Sequence, residues 1–248
     1  LLDAHFGLLR RYAAACKWPV YLATEVPEDP AIKHVAKKYG VQILPLEDKD
    51  ADFLESRLAA CNALPPTVQY ILPLQEDFLL ERPGINGAAL IEALDLLDKN
   101  RLLCSLRLMP CPGPLERPVQ MGTNWAVLEH KDLRFSYQAT IWRREVYSAY
   151  LQGLITQAVQ LNPTLKPRTP EWNQYAIRVN PAETALGLCL LDALVPAGIH
   201  VCWIRKAVWA NAVYWCPWPY RPTAIVKGKL EEWAIELVRR EGFGALNV

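Results

Sequence analysis

Tyr70-Ile-Leu-Pro-Leu-Gln-Glu-Asp-Phe-Leu-Leu80 is an apolar run broken by two adjacent carboxylates, Glu76 and Asp77, before it resumes as Phe78-Leu79-Leu80. Read as a buried strand, it ends in charges that are costly to desolvate unless a cation or hydrogen bonds hold them. Open α/β sheets place their ligands at the carboxyl ends of strands. A divalent ion shared between such carboxylates and a diphosphate satisfies both conditions, because Mg²⁺ binds through one or two carboxylates plus substrate phosphates. A strand that simply ends in a solvated turn is the competing reading. Pro73 fits the strand poorly, since it removes a ladder donor, and implies a bulge or an exit from the sheet just before the carboxylates.

The segments around this run alternate. Residues 2–17 have helical spacing of Leu2, Phe6, Leu9, Ala13 and Cys16, and Pro19 stops them. Residues 20–24 have strand character. Asp29 caps a helix that opens on Pro30 and closes at Gly40. Residues 41–46 read as a strand and 51–63 as a helix. After the carboxylates come a helix over 87–99 and a strand over 102–109. Residues 111–118 read as an irregular loop. A strand over 134–140 runs into a helix starting near Ile141. Residues 182–195 read as a helix, 199–204 as a strand and 229–241 as a charged helix. The alternation predicts an α/β fold with a mostly parallel sheet, right-handed crossovers and flanking helices. Residues 162–170 hold three prolines and read as a mobile loop or lid on the acceptor side.

Bulk properties narrow the partners. The 248 residues are 52% apolar and 21% charged with a net charge of +1, enough to build one large α/β core. The near-zero charge argues against non-specific nucleic-acid binding, and no apolar run reaches membrane-spanning length. Seven cysteines, an odd and scattered set without CxxC spacing, point to reduced thiols in a cytoplasmic setting rather than to disulfides or zinc. Position 1 is not Met, so the chain is expected to begin inside a longer polypeptide.

Taken in order, several motifs resemble a group of nucleotide-sugar glycosyltransferases with the GT-A fold, found in bacterial polysaccharide clusters and large DNA viruses. They are Asp3-Ala-His-Phe-Gly-Leu-Leu9, Trp18-Pro-Val-Tyr-Leu-Ala-Thr-Glu25, Ser56-Arg57-Leu58, Leu74-Gln-Glu-Asp-Phe-Leu-Leu80, Arg107-Leu108 before a Pro-Gly-Pro loop, Ser136-Tyr-Gln-Ala-Thr-Ile-Trp-Arg143, Asn180-Pro-Ala-Glu183 and Ala224-Ile-Val-Lys-Gly-Lys229. The resemblance spans most of residues 1–248 as a single domain, with a donor-binding part over about 1–110 and an acceptor-side part over about 111–248. It implies a GT-A (Rossmann-like) sheet whose first strand is missing ahead of Leu1. It departs from the family pattern in a shortened Asn180-Pro-Ala-Glu183 and in the insertion at 162–170.

The implied activity is an inverting, metal-dependent transfer of a sugar from a nucleoside-diphosphate sugar, UDP- or GDP/dTDP-linked. The implied acceptor is a hydroxyl of a glycan, glycolipid or glycoprotein. Asp77 is the preferred ligand of Mn²⁺ or Mg²⁺, with Glu76 a second ligand. Donor contacts are expected from Asp3, Thr24, Glu25, Arg57, Gln75, Glu76, Arg107 and Lys227. Arg57 also has a surface reading, whereas Arg107 on a buried strand needs a partner. Acceptor contacts are expected from Gln138, Trp142 and Arg143, and from Trp215 and Trp218 in the Pro-interrupted aromatic run Tyr214–Tyr220. That run also suggests peripheral membrane contact, and with it a site at the inner membrane surface or in an infected host's cytoplasm.

Glu183 follows Asn180-Pro181 at a helix start and has two readings. It is the general base that takes the acceptor hydroxyl's proton, or it complements the helix dipole and closes a capping box with Asn180. Two other functions compete with the transferase: a catalytically inactive, transferase-like carbohydrate-binding domain and a sugar-nucleotide nucleotidyltransferase. The second lacks a glycine-rich, lysine-bearing phosphate loop. No G-x-S-x-G element supports a hydrolase.

Overall fold

The computed structural model describes residues 1–48, 51–109, 119–129, 132, 134–161, 163–164, 169, 171, 185–203 and 216–243. Local sequence chemistry accounts for the first elements. Helix α1 (Leu2–Tyr12) buries Ala4 through Leu9 and ends in Arg10 and Arg11, which favour its C-terminal dipole. Strand β1 (Tyr21–Thr24) pairs in parallel with β2 (Gln42–Pro45). Between them α2 (Pro30–Tyr39) opens on the Asp29 cap, whose carboxylate accepts from the amides of Ala31 and Ile32, and closes at Gly40 in the left-handed region (φ 61°). Helix α3 (Phe53–Ala63) starts with a reciprocal capping box between Asp52 and Glu55.

The central sheet comes next. Its strands are β3 (Tyr70–Ile71), β5 (Leu103–Arg107), β6 (Gln120–Met121), β7 (Trp125–Val127), β8 (Thr140–Arg143) and β9 (Ile199–Trp203), in the order β3-β8-β5-β9-β7-β6. Only β5 and β9 are parallel neighbours; the other pairings are antiparallel. The sheet is therefore mixed, which corrects the expected mostly parallel sheet. Strand alternation is legible on β8. Ile141 packs into a core shared with α1, α4 (Gly87–Lys99) and α7 (Glu232–Arg240). Trp142 points the other way, into a core with α3, α5 (Arg144–Leu161) and α6 (Ala185–Leu194). Helices thus cover both faces of the sheet.

Two short pairs complete the described structure. Strand β4 (Leu79–Leu80) pairs antiparallel with β10 (Tyr220–Arg221). Strands β11 (Ile225–Val226) and β12 (Lys229–Leu230) form a hairpin. Its two-residue turn has positive φ at both Lys227 (50°) and Gly228 (76°), the geometry that matches strand twist. Lys227 takes a conformation that side chains disfavour, and Gly228 takes its share without cost.

The decisive stretch folds differently from a single strand. Pairing with β8 stops at Ile71, and Pro73 lies two residues beyond it with no N–H to continue the ladder. Glu76 and Asp77 then sit at the middle of a turn closed by the Phe78 amide donating to the Gln75 carbonyl (3.0 Å). The carboxylates therefore lie between two strands that belong to different sheets. The expected strand over 134–140 is also displaced, to Thr140–Arg143, so Trp142 and Arg143 are strand residues and the helix begins at Arg144.

Candidate functional site

The turn at Gln75–Phe78 is fastened from two sides. The Ala224 amide donates to the Asp77 carbonyl (2.9 Å), and the Ile225 amide bonds the Asp77 carboxylate. Both donors belong to the entry of the β11–β12 hairpin, whose turn carries the exposed Lys227. From the other side the buried His5 of α1 bonds the Glu76 backbone. Burial holds the His5 imidazole down at about 4, against a smaller upward pull from Glu76, so it is neutral at pH 7.

Asp77 is half-buried and Glu76 is exposed. Burial raises the Asp77 pKa, the neighbouring Glu76 raises it further, and the backbone amides of Asp77 itself and of Ile225 offset part of the rise. Such a carboxylate gains from a bound cation, which relieves both upward effects. Two adjacent carboxylates suit a Mn²⁺ or Mg²⁺ shared with a substrate phosphate rather than a cage of protein ligands. Among the described residues no group of three or more His, Cys, Asp or Glu side chains gathers that could form such a cage.

A chain of contacts leads from this turn to the other expected donor residues. Phe78 stacks on Tyr220 (ring centroids 5.3 Å apart). The Tyr220 hydroxyl donates to the Gln138 side-chain oxygen (2.5 Å) and accepts from the Ala139 amide (3.0 Å). Tyr137, next in the chain, lies over the Arg57 guanidinium (5.1 Å). Beside Arg57, the Ser56 hydroxyl donates to Glu25 (3.2 Å), at the carboxyl end of β1. The Thr24 hydroxyl accepts from the Val26 amide (3.2 Å) and shapes that strand end. Gln75, Glu76, Asp77, Gln138, Arg57, Thr24 and Glu25 are linked in this way. Arg107 is buried within β5 and close enough to Tyr220 to lower the phenol's pKa against the larger rise from burial.

Other expected site residues have structural work elsewhere. Asp3 accepts from Lys38 (2.7 Å) and Tyr39 (3.0 Å). It lines a shallow depression of about 520 Å³ with Arg11 and Phe243, which none of the carboxylate-turn residues enters. A second depression of about 390 Å³, lined by Arg10, Cys16 and Trp18 among others, is equally remote from the turn residues in its lining. Trp142 is 1% exposed and packs on Phe135, Tyr147 and His200, so it cannot present a face to an acceptor. Arg143 donates to the carbonyls of Leu103 (2.7 Å), Asn100 (2.8 Å) and Leu97, which closes the end of α4. Trp218 is buried in the core, since the prolines around it fasten to the 81–86 loop through Pro219 and Pro217 carbonyls. Glu183, Trp215, the 111–118 loop and most of 162–170 lie outside the described residues.

Asp192 is ion-paired with Arg134 through both carboxylate oxygens. Nearby, the Ser105 hydroxyl and His200 Nδ1 are 2.7 Å apart on the paired strands β5 and β9. Serine, histidine and aspartate in one region would suggest a hydrolase. Here Ser105 and His200 are 1% and 2% exposed, and burial drives the imidazole down to about 3, so the group is a buried polar network. His5, Tyr137 and Tyr220 stand inside stretches singled out in the sequence but carry no role assigned there, because their contacts join segments distant in the chain. No helix among the described residues is long and apolar enough to cross a membrane. Comparison with protein families, curated proteins and solved structures found no match.

Proposed function

We propose that the chain is a GT-A-type glycosyltransferase that moves a sugar, with inversion, from a nucleoside-diphosphate sugar to a hydroxyl of a glycan or glycoconjugate. The observation that carries this reading is the Gln75–Phe78 turn. It holds a half-buried carboxylate of raised pKa beside a second carboxylate, fixed by backbone bonds on both sides. The ordered motif resemblance supports the same reading. A bound Mn²⁺ or Mg²⁺ would neutralise charge on the departing diphosphate. Asp77 and Glu76 would hold the ion, and Arg57 and Lys227 would add positive charge toward the same group. Gln138, fixed by the Tyr220 hydroxyl, would orient a sugar hydroxyl. Glu183 is the proposed base, which would take the acceptor's proton as the new bond forms.

The burial of Trp142 and Trp218 weighs against a pure carbohydrate-binding domain, because two of the tryptophans such a binder would use are enclosed. A thermal-shift screen of UDP-, GDP- and dTDP-sugars with and without Mn²⁺ tests the proposal. Ligand that binds only the native state raises the midpoint, by about 2.7 kcal/mol of stability at a hundredfold excess over Kd. A metal-dependent rise with at least one nucleotide sugar is expected. No rise with any of them counts against a donor site.

A further inference from the structure

The first turns of α3 carry a cation whose surroundings the transferase reading does not itself explain. Arg57 lies with its guanidinium carbon 4.2 Å from the ring centre of Phe53 and 5.1 Å from that of Tyr137. The two rings meet edge to face at 5.1 Å, and Tyr137 is backed in turn by the fully buried Phe135, also 5.1 Å away. Arg57 Nε is buried without a hydrogen-bond partner, while the guanidinium also reaches the hydroxyl of the buried Tyr147 and hydrogen-bonds it. Among the described residues no carboxylate pairs with Arg57. Glu55 is committed to the capping box, and Glu25 accepts from Ser56. Phe53, by contrast, is 42% exposed, a large apolar ring that gains little from its place by burial. Stacking on a guanidinium is what the exposed ring does, and a planar cation held against two touching rings and the Tyr147 hydroxyl keeps its remaining Nη–H groups in one fixed fork.

We propose that Phe53 and Tyr137 form an aromatic clamp that holds Arg57 as a receptor for a diphosphate, the phosphates of a nucleoside diphosphate. The ligand class follows from the fork, which matches phosphate oxygens two at a time. The inference rests on the reading that the β1–α3 side receives the donor, and it makes Phe53 and Tyr137 positioning residues rather than ligands.

The test measures binding of inorganic pyrophosphate and UDP by calorimetry without divalent metal, alongside the melting temperature and the transfer rate. Arg57→Lys keeps the charge but loses the fork and should weaken both ligands on the order of tenfold. Phe53→Leu should weaken them about threefold to tenfold with an unchanged melting temperature, because the ring is exposed. Phe53→Trp should restore binding. An Arg57→Lys protein that binds pyrophosphate as the wild type does overturns the receptor, as does a wild type that binds neither ligand. Loss in Arg57→Lys but not in Phe53→Leu overturns the clamp. Arg57- and Phe53-dependent pyrophosphate binding in a protein without transfer activity upholds the receptor and removes the transferase reading instead.

Discussion

At Asp77 burial and charge repulsion act together, and the backbone offsets only part of them. The side chain is half-buried, its neighbour is another carboxylate, and two backbone amides, its own and that of Ile225, serve it. That imbalance was partly legible in the sequence: adjacent acids inside an apolar run announce a group that needs a counter-charge. The supports were not legible, because Ile225 and His5 reach the turn from opposite ends of the chain. Tryptophans show the limit more clearly. Trp142 reads in the sequence like an acceptor-stacking tryptophan, and only the packing of helices on both faces of β8 encloses it, as it encloses Ile141 on the opposite face. Glu183 remains a question of chemistry at one residue. Glu183→Gln keeps size and hydrogen bonding but cannot accept a proton. Transfer should fall by roughly two to four orders of magnitude while donor affinity survives. Near-normal transfer, with a stability loss of about 1 kcal/mol or less, would instead assign it to the helix end.

At the scale of elements, local signals predicted what local forces build. The Asp29-Pro30 start and Gly40 stop of α2 hold to the residue, because capping involves only near neighbours. The capping box of α3 is equally self-contained. Strand direction is different in kind. Tyr70-Ile71 pairs antiparallel with β8, which lies some seventy residues away, and neither strand's composition records its partner. Arg143 shows the consequence, since its expected acceptor role gives way to closing α4. Arg143→Met would leave the carbonyls of Leu97, Asn100 and Leu103 without their charged donor. The expected cost is about 1–3 kcal/mol of stability with donor affinity unchanged. Denaturant unfolding together with nucleotide-sugar titration checks both halves. A fully stable variant that loses acceptor turnover would return Arg143 to the site.

Across the whole molecule, two neutral histidines are enclosed by packing from several elements. Burial lowers His5 to about 4 and His200 to about 3, from an ordinary value of 6.5. The unfolded chain therefore binds these protons first as pH falls, so stability is complete above about 6.5. It declines below that, until His5 titrates in the folded state near 4 and His200 near 3. Each site contributes a slope of up to about 1.4 kcal/mol per pH unit in its window. Urea midpoints should stay level from pH 7.5 to about 6.5 and fall below that toward pH 4.5, and His200→Gln should flatten the fall. A midpoint independent of pH in the wild type would mean that these imidazoles are not enclosed as described.

The central claim is that the Gln75–Phe78 turn binds a nucleotide sugar through a divalent ion on Asp77. Its most direct test is calorimetric titration of the best nucleotide sugar from the thermal screen into wild type and Asp77→Ala, each with Mn²⁺ and with chelator. The account predicts tight binding only for wild type with Mn²⁺. It also predicts weakening on the order of tenfold or more on either chelation or substitution, with the variant's melting temperature preserved. Donor affinity unchanged by both chelator and Asp77→Ala would contradict it.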